Sequence, residues 1–355
     1  MHLIFSFLGL YIVLKFTDHW HRAKGYRGPE SDHFNGKIFY SYGTPASAKA
    51  TPIGQRKPII KWLMHRKSNK WSWREHITKK QKPKERIMGS ELIVTFVNHA
   101  TVLIQTEGLN ILTDPIWSER SSPFSFVGPK RFQDPGLHFE DLPPIDLVLI
   151  SHNHYDHMDL ATLKRIQEKW DPKILVGLGN EQYLKERKIM NVREIDWWDA
   201  HEVAEGVSVV CAPGQHFSSR TLSDRNNTLW SGYIIETSHG NIYFAGDTGY
   251  GEFVERIKEK YPAFRVAFLP IGAFRPQWFM GPVHISPDQA MQIHHELNVQ
   301  TSIGIHFGTF HLADDAQDEP QERISELLDA AQSRKPDFRV LKNGESVTIA
   351  YAEKK

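Results

Sequence analysis

The stretch "LVLISHNHYDHMD" (Leu147–Asp159) decides how this chain is read. Pro143 and Pro144 stand just before it, and its four leading apolar residues form a run short enough for a buried strand. The run empties into His152, His154, Asp156 and His157. His152 and His154 share a face if the chain leaves the strand extended, because side chains alternate with period two. Asp156 and His157 fall where the chain turns toward "DLATLKRIQEKW" (159–170), which carries apolar residues at helical spacing behind a capping Asp159. Imidazole and carboxylate suit zinc, with iron and manganese as close competitors. The four groups cannot converge on one tetrahedral ion without strain. Two pairs facing slightly different directions can serve two ions. A loop at the C-terminal end of a strand is also where α/β folds hold their sites.

Two ions need further ligands, and three later strand ends offer them. "APGQHFSSR" places His216 just past a strand, "IYFAGDTGY" ends one with Asp247, and "SIGIHFGTF" ends another with His306. Taken singly, each is as well read as a hydrogen-bonded structural side chain. Together with the histidine cluster they argue for convergence on one site. Asp114 in "LTDP" sits after a strand and before a proline. It is either a partner that orients a ligand imidazole or an Asp-Pro turn residue.

The rest of the chain sets the frame. A 24% share of charged residues against 40% hydrophobic is that of a soluble globular protein, and 355 residues suffice for a large core. A net charge of +1 supplies no global field for nucleic acid, so no nucleic-acid partner is expected. The single Cys211 excludes a disulfide framework within one chain. From about residue 91, alternating strands in "ELIVTFVNHATVLIQTEGLNILTDP" give way to strand–helix alternation and then to strands again, an α/β pattern. Strands are expected at 145–150, 173–178, 207–211, 232–236, 241–245, 265–270 and 302–305. Helices are expected at 159–170, 180–189, 251–260, 287–297 and 320–332.

The N-terminal side divides in two. "LIFSFLGLYIVL" (Leu3–Leu14) is an unbroken apolar run, shorter than the ~20 residues of a spanning helix. It reads as a membrane anchor over residues 1–16 or as a buried helix. Lys15, Arg22, Lys24 and Arg27 follow it, so an inserted run would leave the catalytic domain on the cytoplasmic side. Residues 17–90 read as a connector, of which 17–55, polar and rich in Gly, Pro and Ser, are a connector or a loosely wrapped arm. Its 56–86 portion is strongly basic with Trp62, Trp71 and Trp73 interleaved, a surface suited to anionic membrane headgroups and equally to RNA. The plain alternative is a solvated basic face whose tryptophans pack inward.

The set His152-x-His154-x-Asp156-His157, His216, Asp247 and His306 resembles the five-motif pattern of the metallo-β-lactamase superfamily. Within it, "NHATVLIQ", "ILTDPIWSERSSPFSFVGPKRF", "LPPIDLVLISHNHYDHMD", "PGQHFSSR", "DRNNTLWSGYII", "YFAGDTGY", "LPIGAFRPQWFM" and "GIHFGTFHL" resemble the N-acyl-phosphatidylethanolamine-hydrolysing phospholipase D family. The resemblance covers roughly residues 91–322. It implies a four-layer αββα sandwich over residues 91–355 with a dinuclear site at the strand ends. It implies that His152, His154 and His216 hold one zinc, that Asp156, His157 and His306 hold the other, and that Asp247 bridges them, with a hydroxide between the ions as nucleophile. Asp156, Asp247 and His284, the last from "GPVHISPDQA", are the candidate catalytic groups. His99 reads as structural. Lys130 and Arg131 in "GPKRF" are candidates for an anionic headgroup or simply an exposed pair. "PFSF" (123–126) and "FRPQWFM", with Trp278 and Phe279, are candidates to line an acyl groove or to pack.

The function expected is a zinc-dependent phosphodiesterase of phospholipase D type acting on a phospholipid at a membrane surface. A metallo-hydrolase of a lactone, an amide or a soluble phosphodiester is the alternative, since the superfamily fold hosts many chemistries. A non-enzymatic membrane or RNA-binding metalloprotein is a third class, disfavoured by the complete ligand set.

Overall fold

A computed structural model of the chain describes residues 17–44, 61–62, 64–66, 69–75, 82–331 and 335–351. The Leu3–Leu14 run and much of the basic segment lie outside these residues. Among the described residues no helix is long and apolar enough to cross a membrane.

Among the described residues, fourteen strands form two seven-stranded sheets. The first contains β1 (Ile93–Asn98), β2 (Thr101–Thr106), β3 (Leu109–Thr113), β4 (Leu147–Ile150), β5 (Lys173–Gly177), β6 (Val192–Ile195) and, at its far edge, β14 (Ser346–Thr348). The second contains β7 (Ala200–Ala204), β8 (Val207–Ala212), β9 (Gly232–Glu236), β10 (Ile242–Phe244), β11 (Phe264–Pro270), β12 (Val299–Ile305) and β13 (Phe338–Arg339). Their orders are β14-β1-β2-β3-β4-β5-β6 and β13-β12-β11-β10-β9-β8-β7. Each sheet is antiparallel along one half and parallel along the other: β3 through β6 run parallel, as do β10 through β13.

Period-two alternation explains why the sheets are sandwiched. On β4, Leu147 and Leu149 face the second sheet, while Val148 and Ile150 face outward into a helix-covered layer. On β11, Val266 and Phe268 face inward, and Ala267 and Leu269 face the other helices. Strands this apolar on both faces must be covered on both. Helix α1 (Leu160–Trp170) and the short α2 (Glu181–Lys185) cover the first sheet. Helices α3 (Phe253–Lys260), α5 (Pro287–Glu296) and α6 (Glu319–Ala330) cover the second, with the four-residue α4 (Gln277–Met280) in the connection before α5. The result is the expected αββα sandwich. Asp159 caps α1 as expected, its side chain accepting from the Ala161 amide, and Ser286 with Gln289 forms a capping box on α5.

Two features depart from the simple reading. Helix 180–189 is only Glu181–Lys185, because the chain turns over at Lys188, whose φ is +65°. The arm 17–44 is packed more closely than a loosely wrapped one, since Phe34 and Phe39 are buried in the layer between the sheets. His33 anchors it. This buried imidazole lies 2.6 Å from Asp32 Oδ1 and 2.7 Å from Asp196 Oδ1 and stacks on Trp197.

The described part of the basic segment is also tied down. Trp71 donates to the Asp315 carbonyl and stacks on His311, Arg74 pairs with Asp318, and Trp62 stacks on Phe279. Trp73 remains half exposed.

Candidate metal centre

Each expected metal ligand, and Asp114 with them, follows the C-terminal end of a strand on the same rim of the sandwich. Asp114 follows β3, the histidine cluster follows β4, His216 follows β8, Asp247 follows β10 and His306 follows β12. The turn at Asp247 needs a glycine before it: Gly246 has φ +60°, and a Cβ there would stand 2.5 Å from the Ser151 Cβ. That close approach lets the two sheets meet at the site, where the Ser231 amide donates to the Ser151 carbonyl.

The side chains fall into two groups joined by one carboxylate. In the first, His152 Nε2 lies 2.7 Å from His154 Nδ1, which lies 3.3 Å from His216 Nε2. In the second, Asp156 Oδ2 lies 3.3 Å from His157 Nε2 and 3.4 Å from His306 Nε2. Asp247 Oδ2 reaches both groups, at 3.0 Å from His306 Nε2, 3.2 Å from His157 Nε2 and 3.9 Å from His216 Nε2. His284 joins the cluster, its Nδ1 3.8 Å from the same oxygen.

The outer hydrogen bonds fix which nitrogen faces inward. His157 Nδ1 donates to Asp114 Oδ2 at 2.6 Å, and His216 Nδ1 donates to the Val283 carbonyl at 2.8 Å. Each bond commits one nitrogen outward and turns Nε2 toward the cluster. Asp114 is itself held by the Ser151 amide and hydroxyl, at 2.7 and 2.6 Å. It therefore sits behind an imidazole and is more than a turn residue.

The donor set fits metal ions. His157 Nε2, His306 Nε2 and Asp247 Oδ1 are buried without a hydrogen-bond partner, an arrangement that costs free energy unless something else satisfies them. The charge distribution makes the same demand. Burial opposes ionisation of Asp156 and Asp247, yet His157 nearby holds both carboxyls well below their usual range. Burial would also depress His157, but Asp247, Asp156 and Asp114 outweigh it and hold the ring well above the ordinary imidazole value. His306 is raised to about 9 against burial, by Asp247 and Asp156. Buried carboxylates thus call for positive charge at this spot. On the other side, burial and neighbouring rings push His152 and His216 well down, so they are neutral donors suited to a cation.

One residue of the site was under-read in the sequence. His99, in the turn between β1 and β2, is buried with its Nε2 2.9 Å from Asp156 Oδ2 and its ring 4.2 Å from that of His306. Its φ of +50° is one that few non-glycine residues adopt, and the turn lies on the same rim as the cluster. Nothing in "NHAT" alone signals this, since the contact crosses between β1 and the loop after β4.

The candidate substrate residues lie elsewhere. Arg131 is buried and donates to the carbonyls of Ile116, Ser118 and Gln133, while Lys130 pairs with Glu119 at 2.6 Å. Both line a hollow with Trp73 and Trp117. Trp278, half exposed, lies under the Lys61 ammonium, and Phe279 packs on Trp62. Neither pair contacts the clustered histidines and aspartates directly, although Arg131 lies over the ring of Phe310, which meets His99 edge-on. Beside the cluster instead is a cavity of about 420 Å³ lined by His216, Phe217, Arg225, Trp230, Val283 and the arm residues 38–44.

Residues 109–307 match the model of the beta-lactamase superfamily domain. The chain is 39% identical to the N-acyl-phosphatidylethanolamine-hydrolyzing phospholipase D 1 of Caenorhabditis elegans over 69% of its own length and 72% of that protein. It is 35% identical to the mitochondrial N-acyl-phosphatidylethanolamine-hydrolyzing phospholipase D of Saccharomyces cerevisiae, over 62% of this chain and 48% of the yeast protein. In structure it is similar to Igni18, a metallo hydrolase of Ignicoccus hospitalis, with a TM-score of 0.54 at 23% identity, over 74% of this chain and 100% of that one.

Proposed function

Because this chain belongs to the metallo-β-lactamase superfamily, in the family that includes the nematode phospholipase D, and is a metal-dependent hydrolase, we propose that it hydrolyses a phospholipid phosphodiester with two zinc ions. The bond broken joins phosphorus to the headgroup oxygen; water adds to phosphorus, leaving a phosphatidate and the headgroup alcohol. N-acyl phosphatidylethanolamine is the substrate the relatives' names point to. The observation that carries the reading is the reach of Asp247 Oδ2, within 3.9 Å of nitrogens in both histidine groups.

Two bound ions would supply Lewis acidity toward phosphoryl oxygens and lower the pKa of water to about 7. His152, His154 and His216 would hold one, Asp156, His157 and His306 the other, and Asp247 both. Asp114 would fix the tautomer of His157, and His99 would hold Asp156 in place. His284, with a buried Nδ1 that lacks a partner, would give a proton or hydrogen bond to a phosphoryl or leaving-group oxygen. Phe39, Phe217 and Trp230 wall the adjoining cavity and would keep bulk water from the reacting group. The basic, tryptophan-bearing face around Lys61 and Trp278 would meet the surface of an anionic membrane, on the cytoplasmic side if residues 1–16 anchor the chain.

A panel of a bis-aryl phosphodiester, a lactone and an N-acylated phospholipid in mixed micelles tests this. The reading expects turnover of both phosphodiesters. Turnover of the lactone alone would sink it and favour the soluble-substrate alternative.

A further inference from the structure

The cavity beside His216 contains one guanidinium with no partner. Among the described residues no carboxylate or carbonyl pairs with Arg225; its recorded contact is the face of Phe217, 3.8 Å from the ring centroid. Other arginines near the cluster are committed. Arg220 donates to the carbonyls of Asn153 and Met158, and Arg131 to those of Ile116, Ser118 and Gln133. Arg225 is partly exposed at the cavity wall, and a guanidinium there with no protein counter-charge is free to pair with an incoming anion.

Its position is equally informative. Phe217 lies against the rings of both His154 and His216, with centroids 4.4 and 4.8 Å apart. The guanidinium on that same ring is therefore two van der Waals contacts from the proposed metal ligands. It lines the cavity with Phe39, Trp230 and the arm residues 38–44, and at about 420 Å³ the space is that of a small-ligand site. Glu252 also lines this cavity but does not pair with Arg225. Burial pushes Arg225 down only to about 10, so it is cationic at neutral pH.

We infer that Arg225 is the anion-binding residue of this cavity, holding a phosphate or carboxylate oxygen of the substrate beside the metal cluster. The inference rests on hydrolysis of an anionic ester and deepens that reading by naming what selects it. The planar fork of an arginine matches the paired oxygens of either group. Two sources supply them: the phosphodiester's own non-bridging oxygens, or a carboxylate carried on the headgroup.

The test is steady-state kinetics of wild type, Arg225→Gln and Arg225→Lys. Substrates are bis-p-nitrophenyl phosphate, whose only charge is the diester, and N-acyl phosphatidylserine micelles, which add a carboxylate. Losing one charge-assisted contact should raise KM by about 10- to 100-fold with a much smaller change in kcat, and lysine should restore part of it. A rise with both substrates places the phosphodiester on Arg225; a rise confined to the serine lipid places the headgroup carboxylate there. Unchanged KM for both overturns the inference. If wild type hydrolyses no phosphodiester, the function reading has failed separately, and calorimetric binding of glycerol 3-phosphate replaces kinetics. Weaker binding by Arg225→Gln then supports the anion site, whereas equal or absent binding overturns it. Circular dichroism and Tm of each variant separate these results from loss of fold.

Discussion

His157 Nδ1 donates to Asp114 Oδ2 at 2.6 Å, and both side chains are fully buried. The pair crosses from the loop after β4 to the end of β3, and it is the shorter of the two contacts at His157 Nδ1, the other being the Ser151 hydroxyl at 3.5 Å. Asp114→Asn keeps the volume and removes the charge. Outer partners of this kind are worth about 10- to 100-fold in metal affinity or activity. The variant should therefore lose metal on dialysis and turnover with it, at unchanged circular dichroism. Full metal retention would reduce Asp114 to its turn.

His99 Nε2 meets the same Asp156 oxygen, Oδ2, that faces His157 and His306. His99→Ala should loosen the group formed by Asp156, His157 and His306 and leave the group of His152, His154 and His216 intact. Elemental analysis should show metal falling toward one ion per chain, with turnover down at least about tenfold. Two retained ions with full turnover would make His99 a packing residue.

Asp247→Asn should be more severe than either, because one oxygen serves both groups. Turnover should fall to background with metal content lowered. Wild-type turnover in this variant would refute the bridging role.

The arm carries a pH-dependent anchor. Burial would lower the His33 pKa, but hydrogen bonds to Asp196 and Asp32 reverse this and raise it above its usual 6.5. A folded-state pKa above the unfolded one means the stabilisation is fully present below about pH 6.5 and fades as pH rises through the raised value. Asp32 is largely exposed, which discounts that half of the clamp. His33→Gln should cost about 1–2 kcal/mol at pH 6, seen as a lower Tm, and the gap from wild type should narrow as the buffer becomes alkaline. A gap independent of pH would mean that His33 only packs on Trp197.

The clustered histidines and aspartates were legible as a group because each stands at the end of an apolar run, and strand ends on one rim converge. The core strands were legible for the same reason: Val148 and Ile150 alternate with Leu147 and Leu149, and both faces are covered. Short edge strands were not. Ala200–Ala204 is half exposed along its length, and Phe338–Arg339 has only two residues, so neither carries an apolar pattern. His99, Arg225 and the close packing of the arm were illegible for another reason. Their meaning lies in contacts between distant segments: His99 with Asp156, Arg225 with the ring beside His216, and Phe39 with the inter-sheet core. Local sequence records none of these pairings.

The most direct test of the dinuclear account is a titration of metal-free protein with zinc, following phosphodiester turnover against ions bound per chain. The account predicts that turnover appears only as the second equivalent binds. Full turnover with one equivalent, or with none, would contradict it.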